Sequence, residues 1–276
     1  MSTMPYDPDA YWRTLHERDD LSAVGQSALP VALNAWLYRA LAGNVRRFVR
    51  RHRLDQPPPS RAFDVGSGTG FWVGFWHARG VWQVDGCDLV AAAVERLSAR
   101  FGPRGDRFTL ADIVDGRGLP AEPYPLVSVM NVLLHITVDD AFDRALANVA
   151  RLVAPGGHLL LVEPILRDHS YARPATTDQH SRARPLAAYR DPLVAAGLEL
   201  VDLAPAVALA NNPIEAGSRA AYVRYARWWR WVAAQAKRGP RRAAAIGALV
   251  AAADRVAMAT GVAPSSKIAL FRRPSA

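Results

Sequence analysis

The stretch Phe63-Asp64-Val65-Gly66-Ser67-Gly68-Thr69-Gly70 decides the fold. Strand-forming residues precede it, from Arg61 to Val65, and a helical run follows, roughly Gly70 to Arg79. In that setting glycines let the backbone turn sharply and pass close beneath a ligand. The dinucleotide fingerprint G-x-G-x-x-G needs its third glycine at position 71, which is Phe71. That glycine stands instead at Gly70, so the spacing is G-x-G-x-G. Asp64, just before the loop, would repel a pyrophosphate and suits the cationic amino group of an amino-acid ligand.

Strands and helices alternate downstream of the loop. Val81 to Asp88 reads as a second strand, and Val90, Val94, Leu97 and Phe101 mark one face of a helix. Arg107 to Ala111 reads as a third strand, and the apolar run Leu126 to Leu134 as a central parallel strand buried on both faces. Phe142, Leu146, Val149 and Leu152 line a helix that stops at Pro155-Gly156-Gly157, ahead of a fifth strand, His158 to Glu163. Repeated β-α units predict an α/β fold with a doubly wound sheet and right-handed crossovers. A helix over Pro185 to Ala196 and strands over Leu198 to Leu203 and Lys267 to Arg272 complete the pattern. Upstream, residues 31–50 carry Leu33, Trp36, Leu37, Leu41, Val45 and Phe48 at helical spacing, and Pro57-Pro58-Pro59 breaks the chain after them. The expected division is a helical cap over 1–56, a core over 57–210, a basic, Trp-rich helical insertion over 211–264 and a final core strand over 265–276.

Two further acids follow the strand pattern. Asp88 ends the second strand, where a carboxylate can accept hydrogen bonds from a ribose diol. Its bland alternative is a cap for the helix starting near Val90. Asp112 follows the third strand, placed to accept from an exocyclic amine, with Asp106 and Asp115 as rivals. At these residues the chain resembles the class I, Rossmann-like S-adenosylmethionine (SAM)-dependent methyltransferases. Their first motif is similar to Asp64 through Gly70, their ribose-binding acid to Asp88, and their adenine-flanking pair to Asp112-Ile113. Asn131-Val132-Leu133-Leu134-His135-Ile136 is similar to the segment closing the fourth strand, and Pro155 to Val162 to the turn and fifth strand. The resemblance covers about residues 60–205 and implies a mostly parallel seven-stranded sheet with an antiparallel last strand. It implies SAM as cofactor, held by Asp64, Gly66, Ser67, Gly68, Gly70, Asp88, Leu89, Asp112, Ile113 and Asn131.

On the substrate side, methyl transfer to a hydroxyl benefits from a base with a pKa near neutrality. His135, expected directly after the fourth strand, falls at the carboxyl edge of the sheet where ligands bind in such folds. It is the candidate catalytic base, with a purely structural histidine as the alternative. His169 and His180 lie in a polar loop after the fifth strand and are candidates to face a substrate. Tyr11, Trp12 and the helix at 31–50 either close over the pocket or pack on the sheet. Trp229 is a candidate lid residue. No ligand set of carboxylates and Asn at the strand ends suggests a metal.

The 276 residues carry a formal charge of +9. Eight basic residues and no acid lie between Ala216 and Ala253, which leaves the rest of the chain near neutral. Drawn as a helix, residues 216–239 put Tyr222, Tyr225, Trp228, Trp229 and Val232 on one side and Arg219, Arg227, Arg230, Lys237 and Arg238 on the other. That face packs on the core, lids a substrate, or touches an anionic membrane or anionic substrate through 216–242. Charge confined to one stretch argues against a nucleic-acid partner. The single cysteine, Cys87, excludes an internal disulfide. The polar, acidic N-terminus is unlike a signal peptide, no long apolar run predicts a membrane span, and a cytoplasmic protein is expected. The leading expectation is O-methylation of a small molecule such as a secondary metabolite. N- or C-methylation and a non-methylating, cyclase-like activity are alternatives, and an RNA methyltransferase ranks behind them.

Overall fold

Side chains alternate along the central strands and divide the core in two. The computed structural model of the chain describes residues 7–167, 171–172, 180–259 and 264–275. Seven strands form one sheet: β1 (Arg61–Val65), β2 (Gln83–Asp88), β3 (Phe108–Leu110), β4 (Tyr124–Met130), β5 (Val153–Glu163), β6 (Glu199–Pro205) and β7 (Lys267–Arg272). Their order is 3-2-1-4-5-7-6, and β7 alone runs antiparallel to both its neighbours. The other pairings are parallel, as the alternation of strands and helices predicts.

Ala62, Leu126, Met130, Leu160, Val162, Ile268 and Leu270 face one helical layer. That layer holds α3 (Val31–Arg51), α4 (Phe71–His77), α5 (Ala91–Phe101), α8 (Arg219–Ala236) and α9 (Pro240–Ala259). Phe63, Val65, Val127, Val129, Leu159, Leu161 and Phe271 face the opposite layer, built from α6 (Asp139–Arg151) and α7 (Leu186–Ala195). The period of two along each strand makes both faces of the sheet apolar, so both are covered.

Two strand boundaries are corrected. The fourth strand stops at Met130 rather than continuing to Leu134. Asn131 takes a left-handed backbone (φ 59°) and Leu133–His135 wind into one 3-10 turn. The fifth strand begins at Val153 and carries Pro155-Gly156-Gly157 within it, where Gly156 at φ 74° receives support from the Arg273 carbonyl. Residues 219–259 form two helices in contact, and of the alternatives for their apolar face the structure shows packing on the core: Trp229, Val232, Ala236, Ala243 and Val250 belong to the same core cluster as α3 and the strands.

A buried carboxylate fixes that hairpin to the sheet layer. Asp254 of α9 is 1% exposed, and its Oδ1 accepts from the backbone N–H groups of Ala208, Leu209 and Ala210 at 2.7–3.0 Å. Its Oδ2 accepts from Asn44 Nδ2 of α3 at 3.2 Å. No helix among the described residues is long and apolar enough to cross a membrane.

Candidate active site

The sheet order reverses between β1 and β4, and in open α/β sheets ligands bind at the carboxyl ends of strands beside such a reversal. A cavity of about 390 Å³ opens there. Gly66 to Thr69 after β1, Cys87 to Leu89 at β2, Ala111 to Val114 after β3 and Met130 to Val132 after β4 form its floor. Pro8, Trp12, His16, Val24, Tyr38, Phe71 and Trp72 wall it from the N-terminal helices and α4.

The glycine loop is held in shape by its neighbours. Gly66 and Gly68 have φ of 66° and 55°, and a Cβ would lie 2.6 Å from Val132 Cγ2 and 2.7 Å from Val24 Cγ1 respectively. Gly70 differs in role from the expectation. It does not line the cavity, and a Cβ there would meet Phe101 and Leu97 of α5, so it permits close packing of loop on helix. Asp88 Oδ2 accepts from Gly68 N at 2.8 Å and Oδ1 from Val90 N at 3.0 Å. It therefore stitches the loop to the start of α5 (Ala91–Phe101) while also lining the cavity.

Asp64 lies behind the cavity wall. It is 1% exposed, and its Oδ1 accepts from Ser128 Oγ at 2.6 Å, which in turn accepts from Trp76 Nε1 at 3.0 Å. Its Oδ2 has no hydrogen-bond partner among the described residues. Burial pushes its carboxyl up to about 7, against the Ser128 hydrogen bond. An orphaned buried carboxylate oxygen beside a glycine loop is an environment that a cationic group would relieve. Asp112 lines the cavity and accepts from Val114 N at 2.8 Å. Its rivals are elsewhere. Asp106 pairs with His77 (2.6 Å) and accepts from Val84 N at the far end of β2, and Asp115 is exposed beside Arg117. Asp88, Asp112, Leu89, Ile113 and the two loop glycines thus present an acceptor-rich, glycine-floored cradle that fits a nucleoside carrying an amino-acid cation. Leu89, Ser67 and Asn131 also line the cavity.

The 3-10 turn after β4 is anchored from beneath by Glu163, the last residue of β5. This side chain is fully buried. Its Oε1 accepts from Val132 N and Leu133 N at 2.9 Å each, and its Oε2 from Leu134 N at 3.0 Å. Burial pushes its carboxyl up to about 8, with the three backbone hydrogen bonds and Arg184 opposing the shift. The segment returning from β5 clasps the same turn: Arg182 N donates to the Leu134 carbonyl at 2.7 Å and Arg184 Nη2 to the Ile136 carbonyl at 2.8 Å.

His135 sits on this turn and lines the cavity. Its Nδ1 is 2.6 Å from the His180 carbonyl oxygen. A carbonyl only accepts, so Nδ1 carries the hydrogen and Nε2 is the ring's remaining acceptor. Burial pushes the imidazole down to about 4, below the near-neutral value expected from the sequence, so it is neutral at physiological pH. The indole of Trp12 in α1 (Pro8–Leu15) stands edge-on to the imidazole, with centroids 4.6 Å apart, and Tyr11 stacks on His180 at 4.4 Å. Trp12 lines the cavity, whereas Tyr11 and His180 are not among its lining residues. His169 lies outside the described residues. Trp229 is corrected: it is 7% exposed, packed in the helical layer and not on the cavity.

The sequence reading missed several residues. Glu163 and Tyr38 escaped it, as did His16, which is 3% exposed and accepts from Arg96 Nη2 at 3.2 Å through Nδ1. Burial lowers the His16 pKa, while Asp88 opposes that shift. Glu163 had one available signal, an acid closing an otherwise aliphatic strand. His16 had none, because only the packing of α1 brings it to Asp88. Among the described residues no group of three His, Cys, Asp or Glu side chains is arranged to hold a metal.

The match to known families falls on this frame. Residues 62–157 match the family model described as a methyltransferase domain, and that span runs from β1 into β5. Over that span the chain is similar to a methyltransferase domain. No curated protein sequence matches the chain. Among solved structures, the [4+2]-cyclase SpnF is similar with 22% identity, covering 78% of this chain and 75% of its own, at a TM-score of 0.47. The N-methyltransferase NodS from Bradyrhizobium japonicum, in complex with S-adenosyl-L-homocysteine, has 16% identity over 83% of this chain and 85% of its own, TM-score 0.49. An O-methyltransferase family protein from Burkholderia thailandensis has 13% identity over 79% of this chain and 52% of its own, TM-score 0.49. None of the three bears on what this chain acts on.

Proposed function

We propose that this methyltransferase alkylates an oxygen of a small, largely apolar molecule, with His135 Nε2 as the proton acceptor. The observation that carries the reading is the hydrogen bond from His135 Nδ1 to the His180 carbonyl, which leaves Nε2 as the ring's remaining acceptor on a residue lining a cavity walled by Trp12, Tyr38, Phe71 and Trp72. When bound, SAM supplies an electrophilic methyl group on a cationic sulfur. In this reading Asp88 accepts from the ribose hydroxyls, Asp112 and Ile113 flank the adenine with Leu89, and Gly66 and Gly68 pass beneath the amino-acid part. Asp64 offsets its ammonium charge, and Asn131 shapes the floor where β4 ends. His135 takes the hydroxyl proton as the oxygen gains the methyl, and Glu163 holds the turn that aims the imidazole. Trp12 and its helix exclude water from the reacting groups. The 1–56 segment then acts as a cap, and 211–264 as a helical extension of the core rather than a lid.

The test is His135→Ala, assayed with labelled SAM against a panel of hydroxylated aromatic and aliphatic acceptors. Turnover should fall about 10²–10⁴-fold, with SAM affinity by calorimetry nearly unchanged. Because the imidazole is neutral above about pH 4, the wild-type rate should be level between pH 6 and 8 so far as His135 is concerned, and fall only in stronger acid. An undiminished rate in the variant removes His135 from the reaction.

A further inference from the structure

The outer face of the α8–α9 hairpin has a composition that its role in the core does not require. Residues 217–259 contain nine basic side chains: Arg219, Arg224, Arg227, Arg230, Lys237, Arg238, Arg241, Arg242 and Arg255. All nine are exposed. The one acid in that span, Asp254, is buried and committed to the 208–210 backbone. Among the described residues none of the nine forms an ion pair, so the hairpin presents cations with no carboxylate to neutralise them.

Apolar side chains are set among these cations. On α8, Val223 is 36% and Trp231 43% exposed, and the Trp231 ring stacks on half-buried Trp228 at 5.4 Å. On α9, Ala245, Leu249, Ala252 and Val256 recur at helical spacing on the exposed side, with Leu249 48% and Val256 71% exposed. The inner faces of both helices are already satisfied by the core, through Trp229, Val232, Ala243 and Val250. The outer face is thus cationic and apolar at once, on a rigid platform.

We infer that the exposed face of the α8–α9 hairpin docks this methyltransferase on an anionic lipid bilayer. Charge complementarity favours such a surface, because uncompensated arginines are drawn to its negative potential. The exposed aliphatics and Trp231 favour lipid over a nucleic acid. A phosphodiester chain would satisfy the arginines and leave Leu249 and Val256 in water, whereas the headgroup boundary covers both kinds of side chain. The inference is independent of what the active site methylates.

The full-length chain is sedimented with vesicles of phosphatidylcholine alone and with about one-third phosphatidylglycerol added. Wild type should bind the anionic vesicles and not the neutral ones, with binding lost at about 0.5 M salt. The double variant Arg224→Glu/Arg227→Glu should bind at least about tenfold more weakly, and Trp231→Ser more weakly as well, both with wild-type thermal midpoints and SAM affinity. A blue shift of tryptophan emission on vesicle addition, absent in Trp231→Ser, supports insertion of that ring. No sedimentation, equal binding to neutral vesicles, or wild-type binding by both variants overturns the inference. So does displacement from vesicles by single-stranded RNA that binds Trp231→Ser as tightly as wild type.

Discussion

Replacing Glu163 by alanine strips three successive backbone N–H groups, at 132, 133 and 134, of the carboxyl that accepts from them in the turn that carries His135. Burial holds the Glu163 carboxyl up to about 8, so it is mostly neutral at physiological pH, and each buried N–H left without its acceptor costs about 1–3 kcal/mol. The simple sum overstates the loss, since water can enter the space left behind. A net cost of about 3–5 kcal/mol is expected. For a chain of this size that lowers the thermal midpoint by roughly 6–20 °C. Glu163→Gln keeps one carbonyl oxygen for Val132 and Leu133 but turns a donor toward Leu134 N, so it should lose about half as much. Scanning calorimetry reads the stability. The histidine ring signals in nitrogen-15 NMR read the position of the His135 proton, which should lose its fixed Nδ1 form in Glu163→Ala. Wild-type stability together with an unchanged His135 signal in Glu163→Ala would refute the view that this carboxylate builds the catalytic turn.

Asp88→Ala should weaken SAM binding by about 1.5–3 kcal/mol in calorimetry, and Asp88→Asn by less, because the amide oxygen can still accept from Gly68 N; equal affinity in all three would leave Asp88 as a loop staple only. Asp64 is held protonated below about pH 7 in the free protein, and a cofactor ammonium favours its ionised form. SAM affinity should therefore rise by up to about tenfold per pH unit from pH 5.5 toward 7 and then level off, a slope that Asp64→Asn should abolish. The same raised carboxyl makes the cofactor-free protein lose stability as pH rises from the unfolded value near 4 to about 7, since the folded state binds the extra proton in that window. Gly68→Ala places a Cβ 2.7 Å from Val24 Cγ1 at a φ of 55°. It should cost SAM affinity at least about tenfold, with Val24→Ala restoring part of it; full affinity in Gly68→Ala alone would mean the loop is looser than its packing implies.

The sequence by itself determined the layers. Local signals suffice for that: short apolar runs for the strands, apolar residues at helical spacing for the helices between them, and the glycine loop between β1 and α4. They also placed Asp88 and Asp112 at strand ends, because a residue at or just past the carboxyl end of a parallel strand lies at the ligand edge whatever the rest of the chain does. Only the tertiary structure decided what those residues touch. The apolar run 126–134 reads as one strand, yet Glu163, thirty residues away, draws three of its N–H groups into a turn and sets where His135 points. Trp229 reads as a lid residue from its helix face alone, since periodicity says which side is apolar but not whether a cavity or a core lies against it. Gly70 shares its motif with Gly66 and Gly68 but faces Leu97 and Phe101, a contact fixed by the packing of α5. Buried polar groups must find partners wherever the chain can supply them, and those partners are distant in sequence. For that reason the chemistry of the site was less legible than the fold that carries it.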